Sequence, residues 1–229
     1  MGDIEKAPQY FTGEIMTEYP PHSEPEMWQK ELSAILRQRQ AARETHQPQW
    51  RRKRAELRRG LSPFTEYYAY PHVLPYLPAD TNDTQKTIFI RLFALVAEYD
   101  KIPAAEKSKQ RGKQYSLGAW AQRVSAVLAN SNGQNFAVDP GNMDAVGKRL
   151  QFLHALDAEE AITNIGRIMA LAADKNNVPA LDYFDLFHTM LRWGNGFSAE
   201  SQAVRRKVLR EYFSVTPDDN TKEVHKTTA

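Results

Sequence analysis

The sequence contains no cysteine, which excludes disulfides, thiolate nucleophiles and zinc sites built on sulfur. Its six histidines, at 22, 46, 72, 154, 188 and 225, never fall at HxxxH or HxH spacing. No apolar run approaches the roughly 18 residues a membrane span needs. The opening MGDIEKAPQYFTGEI has no signal-peptide core, and Gly2 lacks the downstream Ser or Thr of a myristoylation signal. These absences make a cytoplasmic location, with no membrane partner, the expectation. Phosphate-cradling GxxxxGK[ST] and GxGxxG patterns are missing, and so is the GxSxG nucleophile elbow. No run alternates apolar and polar residues over the length of a strand.

Helical spacing dominates instead. Within EMWQKELSAILRQRQAARE, Trp28, Leu32, Ile35 and Leu36 recur at helical intervals, behind Ser23 and Glu26 as a capping box with Pro25 in the first turn. A second helix is predicted from Pro48 or Gln49 to Arg59, stopped by Gly60. The stretch PFTEYYAYPHVLPYLP, interrupted by prolines, predicts irregular chain or short helical turns whose aromatic rings pack down as a lid. Thr84 is the expected cap of a helix apolar around much of its circumference, from Ile88 to Val96. Further helices are predicted from Ser116 to an Asn132–Gly133 turn, after Asp139-Pro140, after Asp157, from Val178–Pro179 to Gly194, and after Ser198. The fold class is therefore all-α, as two small antiparallel helical bundles joined by a basic linker. The expected division is a flexible acidic lead 1–22, an N-terminal bundle 23–100, a linker 101–114, a C-terminal bundle 115–216 and a tail 217–229.

The formal net charge of +2 hides a strong asymmetry. Residues 1–36 carry seven acidic and two basic side chains, whereas residues 37–115 carry sixteen basic and eight acidic. The densest stretch, QWRRKRAELRRG, holds Arg51, Arg52, Lys53, Arg54, Arg58 and Arg59. On a helix, Arg51, Arg54 and Arg58 share one face, Arg52 and Arg59 lie on the adjoining one, and Leu57 is left for the core. A second cluster comprises Lys101, Lys107, Lys109, Arg111 and Lys113, and a third Arg205, Arg206 and Lys207. A solvated helix mixes signs to gain i,i+4 support, and this segment does not. A membrane-surface helix would need a broad apolar face that residues 49–59 lack. Arginine in excess of lysine favours planar, bidentate grip on phosphate, so the expected partner is nucleic acid, held by its backbone without base reading.

Catalytic constellations are not legible. Asp185 and His188 have the spacing of half a carboxylate–histidine metal pair, but no second pair exists, and a polar helix face is the simpler account. Asp139 and Asp144 find no base to work with, and Glu159 and Glu160 suit a helix N-terminus. The expectation is a non-enzyme with no cofactor and no metal.

Three stretches carry a family likeness: RAELRRGLSP at 54–63, the run from Tyr115 through SLGAWAQ, and LDYFDLFHTMLRWGN at 181–195 followed by RRKVLREYF at 205–213. In order and spacing, from about residue 50 to 214, they resemble the CasB family, the small subunits of type I-E CRISPR Cascade surveillance complexes. The resemblance implies a non-catalytic helical subunit that pairs with a second copy of itself and with other Cascade subunits. Its nucleic-acid partners would be CRISPR guide RNA and target DNA, and its task to hold the guide–target and displaced DNA strands. The same resemblance points to Arg58, Arg59, Arg149, Arg167, Arg205 and Arg206 as contacts. Trp120 and Trp193 stand at apolar helical spacing and are expected in the core. Two alternatives remain: a structural protein–protein adaptor, and a helix-turn-helix regulator, for which EEAITNIGRIMALA is too acidic at its start and too apolar beyond it.

Overall fold

A computed structural model describes residues 26–45, 47–106, 115–138 and 141–214. The acidic lead, the tail, the Ser23–Pro25 cap, the Asp139-Pro140 helix start and linker residues 107–114 lie outside these. The described chain is all-α. Its helices are α1 (Met27–Glu44), α2 (Pro48–Arg58), α3 (Tyr70–Val73), α4 (Asp83–Glu98), α5 (Leu117–Ser131), α6 (Ala145–Leu150), α7 (Ala158–Ala173), α8 (Tyr183–Leu191) and α9 (Ala199–Phe213). Short 3-10 turns at Arg59–Leu61, Glu66–Tyr68 and Leu74–Tyr76 fill the proline-rich segment, where missing N–H donors rule out a longer helix.

Helix α4 lies at the centre, with every residue from Ile88 to Ala97 buried. Against it, Trp28 of α1 stacks on Phe187 of α8 with centroids 5.5 Å apart, and Phe93 of α4 meets Phe187 edge-on at 5.1 Å. Such pairs contribute about 0.5–1.5 kcal/mol beyond the area they bury. The N-terminal and C-terminal groups of helices thus share one apolar core. Helices α5 and α9 approach so closely that a Cβ on Gly118 would stand 2.3 Å from the Val208 carbonyl oxygen. Trp120 and Trp193 are fully buried, with their indole N–H groups on the carbonyls of Pro179 and Leu156, as expected for core residues.

Several boundaries differ from the sequence expectation. Asn82, not Thr84, caps α4, accepting from Gln85 N at 2.9 Å. Asp144 caps α6 through Gly147 N at 2.7 Å. Helix α8 begins at Tyr183 rather than at Pro179, because Leu181 is held extended. Its N–H donates to Pro103 O and its carbonyl accepts from Ala105 N, both at 2.9 Å. Asp157 and Ser198 cap α7 and α9 as predicted.

Asp182, the cap of α8, accepts from Phe184 N at 2.9 Å and Asp185 N at 3.1 Å. Burial pushes its carboxyl from the ordinary 3.8 up to about 6, against the pull of those N–H bonds and of Lys207. The native state therefore binds this proton more tightly than the unfolded chain does. The stability it confers is fully present below pH 3.8 and is lost as pH rises through about 6. Asp182→Asn keeps the cap acceptor and removes the charge. Its melting temperature should exceed that of the parent at about pH 7.5, with the gap closing near pH 4; a gap of constant size across that range in circular-dichroism melts would refute burial of the charge as the cause.

Candidate nucleic-acid interface

Helix α2 opens on Pro48 at its first position and anchors itself through Trp50 and Leu57, which are buried. The remaining positions fan arginines outward. Between α1 and α2 lies a cleft of about 360 Å³ lined by Arg39, Arg43, Arg51, Arg54 and Arg58, with Trp50 beneath and Asp100 the one acidic residue in its wall. The sequence reading missed Arg39 and Arg43 as cleft residues.

These guanidiniums are not equivalent. Arg39 is 3% exposed and donates to Val96 O at 3.2 Å, to Tyr183 Oη at 3.0 Å and to Ile102 O. Arg54 donates to Ala97 O at 2.9 Å and Glu98 O at 3.3 Å, and pairs with Asp100 at 3.2 Å. Arg43 holds Asp100 O. Arg58 grips both carboxylate oxygens of Glu98, one at 2.9 Å, and that bond raises its affinity for its proton. Arg51 is exposed, with no partner for its guanidinium among the described residues. Carbonyl partners leave charge undiminished, so Arg39, Arg43 and Arg51 face the cleft with no carboxylate within ion-pair distance among the described residues. Arg51, Arg54 and Arg58 share the predicted face, and the donors of Arg54 serve the end of α4.

On the other side of α2, Arg52 pairs with Glu56 at 3.0 Å while its side chain stays 85% exposed. Lys53 pairs with Glu31 at 2.5 Å. Arg59 lies over the ring of Tyr68, 3.9 Å from its centroid. In the C-terminal half, Arg149 folds back to Ala145 O, Arg167 to Asn164 and Arg206 to Gln202, all within their own helices and with no ion pair among the described residues. Lys207 binds Asp185 at 2.7 Å. Lys107, Lys109, Arg111 and Lys113 fall outside the described residues.

Arg205 differs from its neighbour Arg206. It is 5% exposed, and its donors serve the carbonyls of Trp193, Gly194, Leu156 and His154, with the Trp193 ring beneath. Burial of the α9 stripe through Ser201, Val208 and Tyr212 draws Arg205 inward and presents Arg206 to solvent. Asp185 accepts from Leu117 N and Lys207, and His188 lies edge-on to Trp28; no group of metal-ligating side chains forms among the described residues. No described helix is long and apolar enough to cross a membrane. The first turn of α7 carries Glu159 and Glu160, which would repel DNA from a recognition helix.

The sequence model of the CRISPR-associated protein Cse2 family matches residues 53–213, well over half the chain. The chain belongs to the Cse2 family. Its fold is similar to that of a Cse2-family CRISPR-associated protein from Thermus thermophilus, at TM-score 0.52 and 21% identity over 79% of this chain and 96% of that one. It is also similar to CasB from M. ruber, at TM-score 0.56 and 17% identity over 83% and 94%. A chain of a CRISPR RNA-guided surveillance complex matches at TM-score 0.50 and 21% identity over 80% and 91%. No curated protein sequence matches significantly. The family model covers Lys53, Arg54, Arg58 and Arg59 of the first cluster of this Cse2-family chain, and Arg149, Arg167, Arg205, Arg206 and Lys207 further on.

The division between engaged and free arginines is measurable. Arg205→Ala removes a buried guanidinium whose donors serve four carbonyls and should cost about 3 kcal/mol or more, since each bond to a charged donor contributes about 1.5–3 kcal/mol. Arg206→Ala should stay within about 0.5 kcal/mol of the parent, as surface substitutions do. Urea unfolding of the two variants makes the comparison, and equal losses would show that the neighbouring arginines are engaged alike.

Proposed function

We propose that this chain is a non-catalytic subunit of a CRISPR RNA-guided surveillance complex that grips the phosphate backbones of guide–target and displaced DNA strands. The observation that carries this reading is the α1–α2 cleft of a Cse2-family chain, where five guanidiniums surround about 360 Å³ and one carboxylate stands in the wall. Opening a DNA duplex to pair one strand with guide RNA is nearly balanced, so backbone contacts that favour the open form tip it. A basic surface holding the unpaired strand opposes its return.

The contacts in reach of a phosphate are Arg51, Arg52, Arg58 and Arg59 around α2, and Arg149, Arg167 and Arg206 in the C-terminal half. Arg39, Arg43, Arg54 and Arg205 contribute charge and hold the framework. Lys207 is second rank because Asp185 occupies it. The other Cascade subunits and a second copy of the chain are the protein partners this role requires, with antiviral defence as its setting.

Binding of the full chain to random-sequence single strands and duplexes across a salt series tests this. An Arg51→Ala/Arg206→Ala variant that loses two phosphate contacts should flatten the single-strand salt slope by ~1.4, at ~0.7 per contact. An unchanged slope would remove these two arginines from the interface. No binding by the parent at any salt would overturn the proposal and assign the arginines to an acidic protein partner.

A further inference from the structure

Side chains that the fold leaves in water gather on the proline-rich segment. Leu61, Phe64, Tyr67 and Tyr68 are 37%, 87%, 55% and 39% exposed. The rings of Tyr67 and Tyr68 lie 4.4 Å apart, tilted by 31°, and Arg59 covers Tyr68. Together with α2 the two tyrosines wall a second cleft, of about 490 Å³, to which Arg52, Lys53 and Pro71 also contribute. Glu56 is the one acidic side chain in that wall. Hydrogen bonds from His72 and then Arg52 hold its carboxyl below the ordinary range, so its charge is answered within the cleft.

We propose that this aromatic cleft is a stacking site for unpaired nucleobases of a strand whose phosphates cross α2. Helix α2 divides two unlike surfaces: Arg51 lines the arginine cleft and its neighbour Arg52 lines the aromatic one. A strand crossing the first turns of α2 meets cations on both flanks and flat apolar faces on one. Every base has a π-face, so stacking here is blind to sequence but requires bases that are not already stacked inside a duplex. Arg52 keeps 85% of its side chain exposed despite its pairing with Glu56, so it can meet a phosphate while the neighbouring rings meet the bases. The inference rests on the nucleic-acid reading above and adds to it a preference for single strands.

The test uses the full chain and two fluorescent strands of equal length and phosphate count, one carrying thymine throughout and one abasic at its central positions. The parent should favour the base-bearing strand by roughly fivefold to thirtyfold, the contribution of a stacked base or two. Tyr67→Ala/Tyr68→Ala, which removes both rings of the cleft, should erase that preference while leaving abasic affinity and salt slope unchanged; Tyr67→Phe alone, which keeps a π-face, should retain it. Equal affinity of the parent for both strands, or a preference that survives the double variant, overturns the stacking site and assigns the patch to a protein partner. Failure of the parent to bind either strand at low salt overturns the nucleic-acid reading itself, and the stacking site with it.

Discussion

Helix α4 is buried around most of its circumference, and the carbonyls at its C-terminal end find donors inside the protein. All four of the last ones do. Leu95 O accepts from Tyr99 N, Val96 O from Arg39, and Ala97 O and Glu98 O from Arg54. Only a guanidinium offers several donors in a fixed fork that can serve carbonyls on successive residues; a lysine in either place would satisfy fewer and impose no plane. Cations at this end also meet the negative pole of the helix dipole. Capping the central helix therefore ties α1 and α2 to it and concentrates positive charge in one cleft. The functional surface is in part a consequence of how the core is closed.

The same device recurs where other segments end inside the fold. Arg205 serves carbonyls after α8 and ahead of α7, and the buried Arg91 of α4 joins Gly60 O, Glu66 and Glu159. Moving such a side chain to an incoming phosphate would break several bonds of about 1.5–3 kcal/mol each. An exposed ion pair returns about 0–1 kcal/mol. The framework arginines accordingly stay in place and add to the positive field, while exposed ones such as Arg51 and Arg206 would make the contacts of the proposed grip.

Which arginines belong to which group was legible from helical phase more than from local charge density. Arg39 stands seven residues after Leu32 on the buried stripe of α1, Arg54 sits between Trp50 and Leu57, and Arg205 between Ser201 and Val208. A charged residue in an apolar register marks a buried partner, and Arg205 stands in such a register. The helices themselves, the Asp157 and Ser198 caps and the positive φ of Gly133 at the Asn132–Gly133 turn follow local rules. The start of α8 does not, because the extended pairing of Leu181 with a segment some eighty residues earlier outweighs what Pro179 favours locally. Aromatic residues in the proline-rich segment were expected to pack down. Leu61 and Tyr67 instead lie at the surface on two separate 3-10 turns, with Phe64 on the turn between them, while Ala69 and Val73 enter the core.

Dividing the basic residues between framework and surface also limits how tightly this chain can hold a strand. A few exposed arginines, spread over α2, α6, α7 and α9, would give the proposed subunit a sequence-blind grip that salt weakens. For an exchange as nearly balanced as strand opening by guide RNA, about 1.4 kcal/mol shifts the open and closed populations tenfold relative to each other. A stronger grip would hold non-cognate strands as readily as cognate ones, since backbone contacts cannot tell them apart. Under the proposed function, weak contacts on a rigid framework would let base pairing decide the sequence and let the protein act only once the strands are already apart.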